Sequence, residues 1–152
     1  MSPLIQALHA IAATAWVGGI FFAYMALRPA VVTALDAPLR PRLWLAVYGR
    51  FFPWVWVAIG TLLLTGYADL FIRFGGFGND ALYLKAMHGI GLLMIALFAY
   101  LYFGLYRALG RALAADNLPA AGATMMRMRP VMAINLGLGM LQVAIGIAGP
   151  YL

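Results

Sequence analysis

The sequence predicts an all-α integral membrane protein, an up-down-up-down four-helix bundle, on three observations. Of its 152 residues, 66% are hydrophobic and only 9% charged, with a mean hydropathy of +0.95. That is too little charge to cover the surface of a water-soluble domain of this length. Four apolar stretches, roughly 4–27, 51–68, 86–106 and 131–152, alternate with polar punctuation. The connections between them are short, and short connections favour antiparallel neighbours.

A helix needs about 20 apolar residues to cross a hydrocarbon core about 30 Å thick. Four such helices use nearly the whole chain, so residues 1–152 form a single domain with spans of about 4–33, 43–72, 81–113 and 121–151. The first run has no basic residue before it and is far longer than the apolar core of a signal peptide, so it is expected to remain as a span. Pro38 and Pro41 block helix continuation and mark the first connection. The second apolar run is short, but Leu43–Tyr48 extends it on its N-terminal side. Gly75, Gly76 and Gly78 mark the second connection, where Asn79 or Asp80 is the expected N-cap of the third helix. The alanine-rich stretch after Tyr106 continues the third helix to a turn near Asn117–Pro119, and Pro130 stands where the last apolar run begins.

The net charge of +6 is a topology signal. Arg28, Arg40, Arg42 and Arg50 flank the first connection, and Arg107, Arg111, Arg127 and Arg129 flank the third. In a four-span chain these connections share one side. Eight of the ten basic residues therefore lie together, which the positive-inside rule reads as the cytoplasmic side. Both termini are expected on the other side of a bacterial inner membrane. The partner implied is the lipid bilayer and not nucleic acid. The absence of cysteine excludes disulfides and thiolate sites. The only serine is Ser2, and all four aspartates fall in or beside connections. Neither a serine nucleophile nor a carboxylate pair is available.

The chemistry therefore rests on two histidines. His9 lies in the first span and His88 in the third, both about 9–12 Å below the helix ends at 1.5 Å per residue. Lys85 precedes His88 by three residues and shares its helix face. The first and third helices are diagonal in a simple bundle, which turns His9 towards Lys85 and His88. Two nitrogen donors at one depth suit the axial positions of a b-type haem. His9 would supply one ligand, and His88 or Lys85 the other. Ala12, Ala13 and Trp16 continue the His9 face, and Trp16 could stack on the macrocycle. Gly89, Gly91 and Leu92 surround His88. Arg73, Lys85 and Tyr83 stand where propionates would emerge. Ionisable side chains inside a membrane mark functional sites by default, although the same three groups could only join helices.

Copper is the competing ligand, held by His9, His88 and methionines, because thioethers favour Cu(I) and nine methionines are present. Met125, Met126, Met128 and Met132, however, cluster at the other end from the histidines. Glycines at 18, 19, 60, 66, 89, 91, 137, 139 and 146 are expected to let helices approach closely. A glycine-rich face also offers a surface on which a second copy could pack.

The stretches LHAIAATAWVGGIFFAYMALRP, LLLTGY and YLKAMHGIGLLM, in that order, resemble the copper-resistance D (CopD) superfamily of small membrane proteins. The shared pattern is a first-helix histidine followed by Trp-x-Gly-Gly, a Thr-Gly ending the second helix and a lysine opening the third. The chain is also similar to HemJ-type protoporphyrinogen oxidases, and RMRPVMAINL resembles the basic segment before their last helix. That resemblance implies haem binding through His9 and Lys85. Asn135 is followed by Leu136 where that group has an acidic residue, and His88 is an added donor. The expected function is thus a haem b-binding inner-membrane protein. It would transfer electrons to or from a membrane partner or oxidise a small substrate, with the haem between the first and third helices near the outer face. Copper handling of the CopD type is the alternative.

Overall fold

In the computed structural model, which describes residues 3–78 and 81–151, the described residues form helices and no strand. Four are long and apolar enough to cross a membrane: α1 Pro3–Ala34, α2 Ala37–Phe74, α3 Leu82–Ala114 and α4 Leu118–Tyr151. Their lengths of 32 to 38 residues correspond to about 48–57 Å at 1.5 Å per residue, so the helix ends project beyond a hydrocarbon core. Within that core each backbone polar group must find its partner inside its own segment, which is why the chain is helical. Large apolar side chains such as Leu4, Trp54, Leu64, Ile72 and Leu82 point outward as a lipid-facing surface.

The first connection is tighter than its prolines suggest. The break is at Leu35–Asp36, where the backbone is extended. Pro38 lies in a 3₁₀ turn at Ala37–Leu39 and Pro41 in the first α-helical turn that follows. A missing N–H costs nothing there, because the first amides of a helix have no intrahelical partner. Arg40 closes the end of α1 from α2: its Nε donates to the Leu35 carbonyl at 2.9 Å and its Nη2 to the Val32 carbonyl at 2.8 Å.

The second connection begins with Gly75 at φ 72°, and the Gly76 amide donates to the Leu70 carbonyl at 3.0 Å. This left-handed stop favours glycine for backbone reasons alone, since a side chain at Gly75 would meet no atom within 4 Å. Gly75→Ala is expected to cost about 1–2 kcal/mol in thermal unfolding, with no change in ligand binding. The expected N-cap residues Asn79 and Asp80 lie outside the described residues; α3 begins at Leu82 after an extended Ala81.

At the third connection, Asp116 takes φ 52° and the Asn117 amide donates to the Ala112 carbonyl at 2.9 Å. Asn117 then caps α4, its Oδ1 accepting the Ala120 amide at 3.0 Å. Pro119 occupies the first turn, and Pro130 lies inside α4 instead of opening it.

The chain order makes α1 pack chiefly on α2 and α4, and α3 on α4 and, over its second half, on α2. That second half contains a π-helical stretch, Tyr100–Tyr106. Here α2 contributes a ladder one turn apart, with Trp44 and Tyr48 stacked at 5.1 Å and Tyr48 and Phe52 at 4.9 Å. The Phe52 ring meets the faces and edges of Phe98, Tyr102 and Tyr106 on α3. This aromatic wall lies in the half of the bundle that carries the arginine-rich, or basic, end. The glycines differ in how closely they are approached. A methyl group would collide with a neighbour at Gly19, Gly139 and Gly149, whereas Gly18, Gly60, Gly89 and Gly137 face open space. Gly66, Gly91 and Gly146 lie between these extremes, with His9, Gln142 and Met87 at 3.3–3.6 Å from an added Cβ.

Candidate functional site

His9 lies on the inward stripe of α1 that continues through buried Ala12, Trp16 and Ile20. Its Nδ1 is 2.7 Å from the hydroxyl of Thr65 on α2. That hydroxyl is 2.6 Å from the carbonyl of Thr61, one turn back. A threonine hydroxyl has one proton, and the Thr61 carbonyl can only accept, so the proton goes there. The Thr65 oxygen is then left to accept from His9. Hydrogen-bond bookkeeping therefore puts the imidazole proton on Nδ1 and leaves the lone pair on Nε2. The ring also lies against Gly66, where an added Cβ would sit 3.6 Å from its Cε1. Thr65 and Gly66 together set the orientation and tautomer of His9.

His88 is exposed on the same half of the bundle. Its ring contacts Tyr67 of α2 at 5.7 Å and Phe77 of the second connection at 5.8 Å, both edge-to-face. Both histidines are thus anchored on α2, His9 through Thr65 and Gly66 and His88 through Tyr67. Gly89 beside His88 faces open space. Lys85 is exposed in the first turn of α3. Arg73 is exposed near the end of α2, its guanidinium 5.2 Å from the Phe74 ring centre. Tyr83 packs on Gly149 at the end of α4, so closely that a Cβ there would come within 2.6 Å of it. Trp16 lies deeper in the core, edge-to-face with Phe98 at 6.2 Å.

From the sequence Thr65 enters only as part of the Thr-Gly pattern and Asn135 only for the residue that follows it, neither with a partner, and Gln142 is not singled out. Asn135 Nδ2 donates to the Met94 carbonyl at 3.3 Å, and Gln142 Nε2 donates to the Met87 carbonyl at 2.8 Å. The two donors are seven residues apart on α4 and the two acceptors seven apart on α3. The clips therefore repeat every two turns between antiparallel helices and orient the backbone just before His88. Their signal was the heptad spacing of two amides in an otherwise apolar span; that of Thr65 and Gly66 was the LLLTGY stretch itself. Among the described residues Trp16 Nε1 and Asn135 Oδ1 find no hydrogen-bond partner, and both residues line one small cavity of about 10 Å³, about the space of one water.

The expected facing of His9 by His88 and Lys85 across the core takes a different form: His9 points its Nδ1 to α2, whereas His88 and Lys85 are exposed on α3. By donor chemistry the residues fit a b-type haem: one imidazole offers an oriented Nε2 and a second imidazole and an amine lie in the same half of the bundle. Among the described residues no three His, Cys, Asp or Glu side chains gather for a metal ion.

The family comparison covers the part of the chain that holds most of these groups. The model of the family described as copper resistance protein D matches residues 45–148, a range that contains Thr65, Gly66, Lys85, His88, Asn135 and Gln142 and begins after His9. No curated protein and no solved structure gives a match. With more than half of its length matched, this four-helix membrane protein belongs to the copper resistance protein D family.

Proposed function

We propose that the protein holds one haem b at the end of the bundle that carries both termini, and serves electron transfer or the oxidation of a small substrate. The observation that carries this reading is the Thr65–His9 hydrogen bond of 2.7 Å. An imidazole whose second nitrogen is held by a neighbour is how metal-ligating histidines are oriented. His9, through Nε2, and His88, with Lys85 as its rival, would hold the haem iron. Arg73, Lys85 and Tyr83, at the helix ends, would meet the propionates. When bound, the group would supply one-electron redox chemistry. The chain's own part is to orient the nitrogens, and to keep water from the inner face with Ala12 and Trp16. The basic end faces the cytoplasm of a bacterial inner membrane in this reading, which places the site near the outer surface.

The test is the absorption spectrum of the detergent-purified protein, oxidised and dithionite-reduced, with a pyridine haemochrome assay. The expected result is about one haem per chain, since one such set of donors is present, lost in His9→Ala. Full haem occupancy in that variant would refute the assignment.

Copper handling, suggested by the family description of copper resistance, is the second reading. Met125, Met126 and Met132 line one cavity at the basic end and could offer thioethers to Cu(I). Three arginines line the same cavity and repel a cation, so haem is placed first. Stoichiometric Cu(I) binding by a colourless protein would reverse that order.

A further inference from the structure

A cavity of about 280 Å³ at the basic end lies between α1, α2 and α4. It is about 28 Å from His9 along α1, counting 1.5 Å per residue to Arg28, and so is separate from the proposed haem site. The α2 and α4 walls are each one helical stripe. Arg40 and Trp44 stand one turn apart on α2, and Gly122, Met125 and Arg129 follow i, i+3, i+7 spacing on α4.

The α1 wall is irregular. Ala23–Leu27 form a π-helical turn in which the Arg28 amide reaches back to the Ala23 carbonyl. Such single wide turns inside α-helices occur frequently at functional sites. Here the wide turn lies directly before Arg28 and Pro29, and it carries Ala23 and Tyr24 into the lining.

The charge is one-sided. Arg28, Arg40 and Arg129 all line the cavity, and none of the described lining residues is acidic. Arg28 sits 5.2 Å from the Tyr24 ring centre, an arrangement that leaves its N–H donors available. Arg40 is held on the last carbonyls of α1 through Nε and Nη2, which presents Nη1 in a fixed direction. Three guanidinium groups at a wall of methionine and Trp44 suit an anion attached to apolar material. Basic pockets between membrane helices bind lipid head groups for this reason, and guanidinium groups match phosphate geometry.

We infer that this cavity is a binding site for a phosphate-bearing anion, with Arg28, Arg40 and Arg129 on the phosphate and Trp44, Met125 and Met132 against an attached acyl chain. Soluble phosphate shares the head-group chemistry but would leave the apolar wall unfilled, so an anionic phospholipid is the occupant the lining favours.

The experiment is a lipid titration of the detergent-purified full chain by native mass spectrometry. It uses phosphatidylglycerol, phosphatidylcholine and inorganic phosphate as separate probes. One phosphatidylglycerol should be retained per chain in preference to phosphatidylcholine. At roughly five-fold per arginine, the double variant Arg28→Gln/Arg129→Gln should weaken it about 25-fold. Arg40 is left intact because it closes α1. Gly122→Leu supplies a second route: an added Cβ there meets nothing within 4 Å, so the side chain should enter the cavity without strain and block it with every charge kept. Thermal unfolding close to that of the parent would show that both variants fold. Displacement of the lipid by millimolar inorganic phosphate would uphold the anion site and assign it to the soluble source. Equal retention of the two lipids, or phosphatidylglycerol binding unchanged in both variants, would overturn the proposal.

Discussion

Thr65→Val is expected to weaken haem retention about 10- to 100-fold, the usual cost of removing a partner that orients a metal-ligating histidine. Valine keeps the volume and β-branching of threonine, so the α2 helix and its packing should survive. What goes is the oxygen that accepts the His9 Nδ1 proton at 2.7 Å. The ring is then free to turn against Gly66 or to move its proton to Nε2, and either change removes the lone pair from its place. Thr65→Ser keeps the oxygen and should restore binding. Haem titration of the three proteins checks this, and parent-like retention in Thr65→Val would remove Thr65 from its positioning role. A second readout needs no haem. The ¹⁵N shifts of the His9 ring in the haem-free protein should show protonated Nδ1 in the parent and the serine variant, and a mixed population in the valine variant.

The fold was legible because a bilayer permits so little else. With 66% hydrophobic and 9% charged residues, a chain of this length must satisfy its backbone within helices, and the spacing of its polar connections sets their number. The helix ends were less legible where the cue was proline. Pro38 and Pro41 forbid continuation of a helix but are well placed at the start of one. Nothing local told which role they held, and the answer came from Arg40, which closes α1 from across the connection.

The candidate site divides along a similar line. His9, Lys85 and His88 stood out as titratable groups in apolar surroundings. Thr65 did not, because a threonine inside a helix ordinarily bonds to the carbonyl one turn back. It does so here as well, with Thr61, and its second role depends on α1 lying alongside. Asn135 and Gln142 likewise find their acceptors on α3, a register that emerges only when the two helices are paired. The glycines make the point most sharply, since identical residues in one helix serve opposite purposes.

Gly139→Leu is expected to destabilise the bundle by about 3 kcal/mol or to prevent its assembly, at or beyond the upper end for overpacking a filled core. Gly139 is buried where α4 meets α1 and α3. A Cβ there would lie 2.8 Å from Val17 Cγ2 and 3.3 Å from Met94 Cε. Met94 can yield, being the end of a flexible side chain, but Val17 is β-branched, buried and fixed against its own helix. The remaining γ- and δ-carbons of leucine would have to part α1 from α4, and the Asn135 clip to Met94 lies one turn away on the same helix. Gly137→Leu is the control. It sits two residues earlier on the same helix, is exposed, and would meet nothing within 4 Å, so the gain in helix propensity should leave it neutral or slightly stabilising. Thermal unfolding in detergent, followed by tryptophan fluorescence together with size-exclusion profiles, compares the two. Equal stability of the variants would mean that α1 and α4 do not meet at Gly139. A large loss confined to Gly139→Leu would show that helix contact, and not glycine content, sustains the fold where lipid offers no hydrophobic drive.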